Sequence, residues 1–225
     1  MPLELRSVAW DRMLLRGGLK AGIESLGPVL PSILEIAYSL VYALGPFCVS
    51  VLYVLGYREN TDAFLFVFPA AVLLCYAQLP FWPSEPPRLL FVGQDTPPYE
   101  TIFRRFNWWM LPGGGIHTGV FPSARVAGAF GAVFGMSSAR LRRSWVRRLL
   151  LVMAVLIAIA TVYGRYHYLA DAMAGFLMAV VALAVSHVLS RAAGTGERAR
   201  RQTQQSRSRE RIREQGVPGV VLKMQ

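Results

Sequence analysis

The apolar runs of this chain constrain its fold more than any other feature of the sequence. Hydrophobic residues make up 54% of its 225 residues and charged residues only 16%. Several runs reach the roughly 17 to 25 residues that a membrane-spanning helix needs. The sequence therefore predicts an all-α integral membrane protein, a polytopic bundle of about five or six transmembrane helices. Five spans are predicted at residues 33–56, 62–81, 120–137, 149–166 and 168–190.

The segments on either side of the predicted membrane domain, 33–190, are polar. In the N-terminal segment, 1–32, we find no continuous apolar core and no small-residue cleavage site of a signal peptide. Because residues 12–30 are too polar and too rich in glycine for a span, we expect this segment to form a helix at the membrane surface. The tail, 191–225, is rich in Arg, Gln, Ser and Gly and has little to bury, which predicts a disordered chain.

The long connection between the second and third spans contains a candidate interfacial helix. Residues 101–110 place Trp108 and Trp109 close to Arg104 and Arg105. Aromatic and basic residues together are typical of a helix at the level of the lipid headgroups. The alternative is an ordinary, partly buried loop helix.

The distribution of basic residues predicts the orientation in the membrane. Because consecutive spans alternate in direction, the basic loop between spans three and four shares a face with the basic tail, and the positive-inside bias makes that face cytoplasmic. The start of span three and the turn between the last two spans then lie on the extracytoplasmic side. The basic N-terminal segment opposes this assignment, and a sixth span there would move that segment alone. The loop arginines are Arg140, Arg142, Arg143, Arg147 and Arg148.

The net charge of +11 predicts contact with membrane lipids. A basic cytoplasmic tail attracts anionic headgroups by about 1 kcal/mol per charge near the surface. We expect no nucleic-acid partner, because the excess charge flanks the membrane spans and carries no recognisable binding fold. Neither a paired CxxC nor an HExxH spacing is present, so the sequence indicates no metal site and no cofactor. Oligomeric state stays open.

Two short polar clusters inside apolar sequence are the candidate functional residues, because ionisable groups at membrane depth persist mainly where they do chemistry or bind an ion. His167 and Asp171 are four residues apart and share one helix face. The carboxylate can then orient the imidazole as a general base or nucleophile. Arg165 adds a charge that can hold phosphate oxygens in a bidentate fork.

The second cluster begins a helix on the same predicted face. Pro122 and Ser123 are typical of a first helical turn, where free backbone amides favour an anion. Arg88 follows a proline pair on the same side and completes a cationic cage. In the alternative reading these residues are an interfacial histidine, a helix cap and snorkelling arginines. The coincidence of four features on one face favours the site.

Three stretches of the chain resemble the signatures of the type 2 phosphatidic acid phosphatase superfamily. Residues 161–175, TVYGRYHYLADAMAG, resemble the third signature, in the branch that includes inositol phosphorylceramide synthases. Residues 121–126, FPSARV, resemble the second signature, and residues 83–88, PSEPPR, the first. The order and spacing of the three stretches agree with those of the family's signatures over roughly residues 33–190.

The resemblance implies a helical membrane fold and metal-independent phosphoryl transfer from a lipid phosphate. By this likeness His167 is the nucleophile that forms a phosphohistidine, and Asp171 orients it. The phosphate-binding groups would be Arg88, Ser123 and Arg165. Transfer to water makes a phosphatase, and transfer to a second alcohol makes a transferase.

Arg125 departs from the family pattern, because the second signature ends in a histidine that protonates the leaving oxygen. Arginine stays protonated, so it stabilises negative charge but is no useful acid. Acid catalysis is typically worth about 10² to 10⁴-fold in rate. Three outcomes stay open: a weak or inactive relative that binds lipid phosphates, a preference for polyprenyl diphosphates with a good leaving group, or substitution of the acid by His117. His117 in turn has an alternative reading as an interfacial loop residue.

The sequence thus predicts a lipid phosphatase or phosphotransferase with an extracytoplasmic active site and weakened acid catalysis. The main rival is a non-catalytic membrane protein that binds lipid phosphates. A purely structural membrane protein is the third class, and it would bind no phosphate.

Overall fold

The computed structural model of this protein describes residues 2–110, 119–141 and 143–214, and these ranges contain helices but no strand. A π-helical turn at Leu15–Leu19 joins α1 to α2, and a 3-10 turn at Arg58–Asn60 precedes α4. The α-helices are α1 (Pro2–Leu14), α2 (Lys20–Glu24), α3 (Val29–Val54), α4 (Thr61–Tyr76), α5 (Pro87–Leu90), α6 (Ile102–Met110), α7 (Ala124–Ser138), α8 (Ser144–Tyr163) and α9 (Leu169–Glu214).

Four helical segments of the described chain are long and apolar enough to cross a membrane: Val29–Val54, Arg58–Tyr76, Ser144–Tyr163 and Leu169–Ala193. The predicted fold class, an all-α polytopic bundle, is confirmed. The third predicted span, 120–137, is instead the 15-residue helix α7, about 22 Å long at 1.5 Å per residue. It is shorter than predicted because Ser123 is extended and caps a helix that begins only at Ala124.

Helix α7 lies inside the bundle because its glycines let α4 approach closely. A Cβ atom at Gly131 would stand 3.1 Å from the Cβ of Ala71, and one at Gly135 would stand 2.8 Å from Cδ2 of Phe64. Small residues are the usual means of packing membrane helices, since lipid supplies little driving force for association. Packing against α4 therefore fixes α7, whose first turn carries Arg125.

The N-terminal segment is helical, and its inner face is buried. Leu15 and Ile23 are 2% and 5% exposed. Asp11 is fully buried, and its Oδ2 lies 2.6 Å from Nη1 of Arg165. Its Oδ1 accepts a hydrogen bond of 2.8 Å from the amide of Leu169, the first residue of α9. Helix α1 is thus attached to the turn that carries Arg165 and His167.

The candidate interfacial helix is α6, and two of its polar residues face the protein whereas Arg105 is exposed. Arg104 and Asn107 are buried, whereas Ile102 and Trp109 are about three-quarters exposed. A helix that turns aromatic and aliphatic residues outward suits the boundary between lipid and headgroups. This arrangement favours the interfacial interpretation over an ordinary loop helix.

The chain divides into two compact units, Met1–Ala184 and Val185–Gln225. The first unit contains α1 to α8 and the start of α9. In the second unit the structure continues α9 to Glu214, and the disorder predicted for 191–225 stays a prediction. Residues 191–214 are rich in arginine, glutamate, glutamine and alanine, which have high helix propensity. Residues 215–225 lie outside the described part.

We predict that Gly175→Ala destabilises the protein. A Cβ atom at Gly175 would overlap the carbonyl oxygen of Ser123 and lie 3.3 Å from the amide nitrogen of Ala127. Backbone atoms cannot move aside cheaply, so we expect the free energy of unfolding to fall by about 1 to 3 kcal/mol. Thermal unfolding in detergent measures this loss. The control Gly22→Ala has open space around its Cβ and should stabilise by about 0.5 kcal/mol. Equal effects of the two substitutions would contradict the close approach.

We also predict that Asp11→Asn lowers stability by about 3 kcal/mol, because it leaves the buried guanidinium of Arg165 without its compensating charge. The control is Asp62→Asn, at an exposed position in the first turn of α4, which should cost less than about 1 kcal/mol. The unfolding midpoints of both variants, measured in the same detergent, make the comparison. A midpoint for Asp11→Asn equal to that of wild type would refute the role of the ion pair.

Candidate active site

His167 lies in the tight turn between α8 and α9. Arg165 adopts a φ of 60°, a left-handed conformation that reverses the chain, and the amide of His167 donates to the carbonyl of Thr161 at 3.1 Å. The imidazole Nδ1 lies 2.8 Å from the carbonyl oxygen of Val120. Because a carbonyl only accepts, Nδ1 must carry the proton, and a neutral ring then keeps its lone pair on Nε2. Nε2 has no hydrogen-bond partner among the described residues.

Asp171 lies close to the imidazole, but its shortest contact is elsewhere. Its Oδ2 is 3.5 Å from Nδ1 of His167 and accepts a 2.9 Å hydrogen bond from the amide of Tyr168. The carboxylate therefore caps the start of α9 and places negative charge beside the ring. The contact that fixes the tautomer is the carbonyl of Val120, which the sequence did not indicate.

Residues 121–126 meet the start of α9 through their backbone. The amide of Ser123 donates to the carbonyl of Asp171 at 3.0 Å. The Ser123 hydroxyl is fully buried and accepts from the amide of Val126 at 3.5 Å, so this side chain acts as the N-cap of α7. Pro122 and Ser123 thus precede the helix, whereas the sequence analysis placed them in its first turn.

Residues 83–88 are hydrogen-bonded to both of these stretches. The hydroxyl of Ser84 accepts a 3.2 Å hydrogen bond from the amide of Phe121. The amide of Arg88 donates to the carbonyl of Arg165 at 3.3 Å. The three stretches, far apart in sequence, are therefore hydrogen-bonded to one another.

The arginines around this point fall into two groups. Arg165 is paired with Asp11, and Arg104 with the buried carboxylate of Glu35 at 3.3 Å. Arg88 and Arg125 have no carboxylate partner within the part of the chain that the structure describes.

The rings of two tyrosines contact the two guanidinium groups that lack a carboxylate partner in the described chain. The rings of Tyr38 and Tyr166 are stacked at 4.1 Å. Cζ of Arg125 lies 4.6 Å from the Tyr38 ring, and Cζ of Arg88 lies 5.7 Å from the Tyr166 ring. Burial lowers the pKa of Arg88, and the positive charge of Arg125 lowers it further. Two positive charges on one pair of stacked rings favour an anion beside them.

His167 and Arg125 line one cavity of about 470 Å³. Its remaining walls are mostly apolar and come from α3, α4 and α7. The guanidinium Nη2 of Arg125 donates to the hydroxyl of Tyr42 at 2.6 Å, and its buried Nε has no hydrogen-bond partner. The cavity thus combines one cationic, nucleophilic end with an apolar body. The apolar walls include Val41, Phe68, Val72 and Leu73.

Several residues of this arrangement escaped the sequence analysis. Tyr38 and Tyr42 are four apart on α3, a spacing that places both on one face. Glu35 is a carboxylate at the start of an apolar run, which is itself a signal. Asp11 gave no signal, because its partner is 154 residues away. His117 lies outside the described residues. In the described part no group of three or more possible metal ligands occurs.

Comparisons with known proteins place the chain in a family. No curated protein and no solved structure matches the chain. The family model described as the PAP2 superfamily matches residues 19–185, which is well over half of the chain. The match includes the three stretches 83–88, 121–126 and 161–175. The branch of inositol phosphorylceramide synthases is not distinguished by this match. The chain belongs to the PAP2 superfamily.

Proposed function

We propose that this protein transfers the phosphoryl group of a membrane lipid phosphate or diphosphate, without a metal ion, through a phosphohistidine at His167. PAP2 membership supports phosphatase or phosphotransferase chemistry. The observation that carries the proposal is the cavity shared by His167, whose Nδ1 is fixed, and Arg125, whose charge is uncompensated.

The first step is attack on phosphorus by the lone pair of Nε2. The bond between phosphorus and the leaving oxygen breaks, and its electron pair stays on that oxygen. Asp171, 3.5 Å from Nδ1, stabilises the positive charge that the ring acquires. In the second step water, or a second alcohol, attacks phosphorus and the electron pair of the P–N bond returns to Nε2. The proton of the attacking hydroxyl leaves with the product or to solvent.

We propose Arg125 and Arg88 as the main phosphate-binding groups. Both are free of carboxylate partners in the described chain, so an anionic substrate compensates their charge. The Ser123 hydroxyl accepts from the amide of Val126, and Nη1 of Arg165 is bound to Asp11, although the buried Nε of Arg165 has no hydrogen-bond partner. We assign to them the role of holding the two helix starts that present Arg125 and His167.

The arginine at position 125 also bears on the substrate. It stabilises negative charge on the leaving group but donates no proton to it. A polyprenyl diphosphate, whose leaving group departs as a phosphate, needs little protonation, whereas a lipid monophosphate expels an alkoxide. The proposal therefore favours a lipid diphosphate, whose chain suits the apolar walls of the cavity.

The proposed active site faces the extracytoplasmic side. The basic residues Arg143, Arg147 and Arg148 stand at the start of α8, and His167 follows its end. Twenty residues separate the two ends, about 30 Å along the helix. With the basic end cytoplasmic, the cavity lies at the outer leaflet. Arg142 of the same loop lies outside the described residues.

A second candidate function is binding of lipid phosphates without turnover. Two observations favour it: position 125 is an arginine, and Arg165 is neutralised by Asp11. Both candidates share the cationic cavity, so turnover separates them.

Phosphate release by the purified protein in detergent tests the proposal, with a phosphatidic acid and a polyprenyl diphosphate as substrates. We expect release from the diphosphate, and a loss of at least about 10³-fold in His167→Ala, which lacks the nucleophile. His187→Ala, at an exposed histidine of the second unit, is the matched control and should keep the wild-type rate. Binding of both substrates without release from either would establish the second candidate. No binding at all would refute both.

The same assay tests the account of Arg125. Arg125→His restores a group that can donate a proton, so we expect the rate on the monophosphate to rise by about 10²-fold. The rate on the diphosphate should not rise, because its leaving group needs little protonation and the substitution removes a phosphate-binding charge. A monophosphate rate that stays at the wild-type value would show that the missing acid is not the limitation.

Cysteine labelling in intact cells tests the orientation. Ile102 and Arg147 are both exposed, whereas Cys48 and Cys75 are buried. Because α6 contacts α3 beside the His167 turn, a membrane-impermeant maleimide should label Ile102→Cys in intact cells. Arg147→Cys should react only after the membrane is permeabilised. The reverse pattern would place the cavity on the cytoplasmic side.

A further inference from the structure

A buried carboxylate near the proposed active site has no part in the phosphoryl transfer. Glu35 of α3 is only 3% exposed, in a span where an ionisable residue is costly unless it is paired. Its Oε2 accepts a 2.6 Å hydrogen bond from the hydroxyl of Tyr166 and a 2.7 Å bond from Nδ2 of Asn107. Nη1 of Arg104 lies 3.3 Å from Oε1. Glu35 thus joins α3, α6 and the turn before α9.

Tyr166 is the residue directly before His167, and it is held from three sides. Its amide donates to the carbonyl of Thr161 at 3.1 Å, as does that of His167. Its ring stacks on Tyr38, and its hydroxyl is bound to Glu35. Burial raises the pKa of this hydroxyl well above its usual range, and the nearby carboxylate raises it further, so Tyr166 remains a donor at physiological pH.

The same two rings connect Glu35 to Arg125. Tyr38 carries the guanidinium of Arg125 on its face at 4.6 Å, and its ring position depends on the stack with Tyr166. A shift of Tyr166 therefore moves both ends of the proposed reaction centre: His167 through the backbone, and Arg125 through Tyr38. Hydrogen bonds to a charged group are among the stronger ones in proteins, which suits an anchor.

We propose that Glu35 is a positioning residue that acts through the Tyr166 hydroxyl to hold the His167 imidazole against Val120 and to keep Arg125 on the cavity. Its catalytic meaning rests on the proposed function. Its structural meaning does not, because the imidazole geometry can be observed without substrate.

The experiment compares Tyr166→Phe with Tyr163→Phe in the full chain, purified in detergent. Both tyrosines are 1% exposed, and both hydroxyls donate to a carboxylate, that of Tyr163 to Glu24 at 3.3 Å. Each substitution removes one oxygen and keeps the ring, so each variant should fold. Glu35→Gln is the partner variant, and Tyr166→Phe alone decides the matter if Glu35→Gln does not fold.

The first readout is the nitrogen NMR spectrum of the imidazole rings. The chain has three histidines, so ¹⁵N-histidine labelling gives few signals, and loss of signals in His167→Gln assigns those of His167. In wild type we expect the neutral ring with the proton on Nδ1. Tyr166→Phe and Glu35→Gln should shift both ring nitrogens of His167, whereas Tyr163→Phe should leave them in place. Signals of His167 that coincide in wild type and Tyr166→Phe would overturn the proposal.

The second readout is the division of the kinetic effect between kcat and KM. Misplacement of a reacting group by about 1 Å can cost 10²-fold in rate, so we expect kcat of Tyr166→Phe to fall by about 10 to 100-fold with KM within about twofold. Tyr163→Phe should keep both constants. An active wild type with an unchanged kcat in Tyr166→Phe overturns the inference and leaves the proposed function intact. A wild type without turnover refutes the proposed function, and the NMR comparison still decides the positioning role.

Discussion

The hydrogen bond between Nδ1 of His167 and the carbonyl of Val120 is the contact on which the rest of the site depends. It joins the turn before α9 to the residues before α7, and it decides which imidazole nitrogen holds the proton. The bond forms only because α7 and α9 approach at their starts, where the Ser123 amide meets the Asp171 carbonyl and Gly175 leaves room for the Ser123 backbone. Helix packing thus orients the proposed nucleophile before any substrate arrives.

Charge compensation divides the buried arginines by role. Arg165 and Arg104 each have an internal carboxylate, and these ion pairs attach α1 and α6 to the bundle. Arg88 and Arg125 lie on the stacked rings of Tyr38 and Tyr166 without such a partner in the described chain. An aromatic face supports a cation only weakly compared with a carboxylate, so this pair keeps its attraction for an anion. Our proposal therefore assigns the phosphate-binding role to arginines that lack a carboxylate partner in the described chain, and not by their place in a sequence motif.

Local spacing in the sequence predicted much of this organisation. Long apolar runs predicted the helical bundle, and the interval between His167 and Asp171 predicted their proximity. The spacing did not show that the shortest contact of the Asp171 carboxylate is with the backbone amide of Tyr168. Such a cap depends on the residue at which α9 begins. The Asp11–Arg165 pair was beyond reach, because contacts across 154 residues follow from tertiary packing alone. The prediction begins span three at residue 120 because apolar residues precede Ser123, and hydropathy does not detect a helix cap.

The most direct measurement is a structure of the protein determined with orthovanadate, which mimics a phosphoryl group in transfer. The account predicts vanadium bonded to Nε2 of His167, with vanadate oxygens within hydrogen-bond distance of the Arg125 guanidinium, and with Nδ1 still bound to Val120. Vanadate bound away from His167, or an imidazole turned so that Nδ1 faces the cavity, would contradict it.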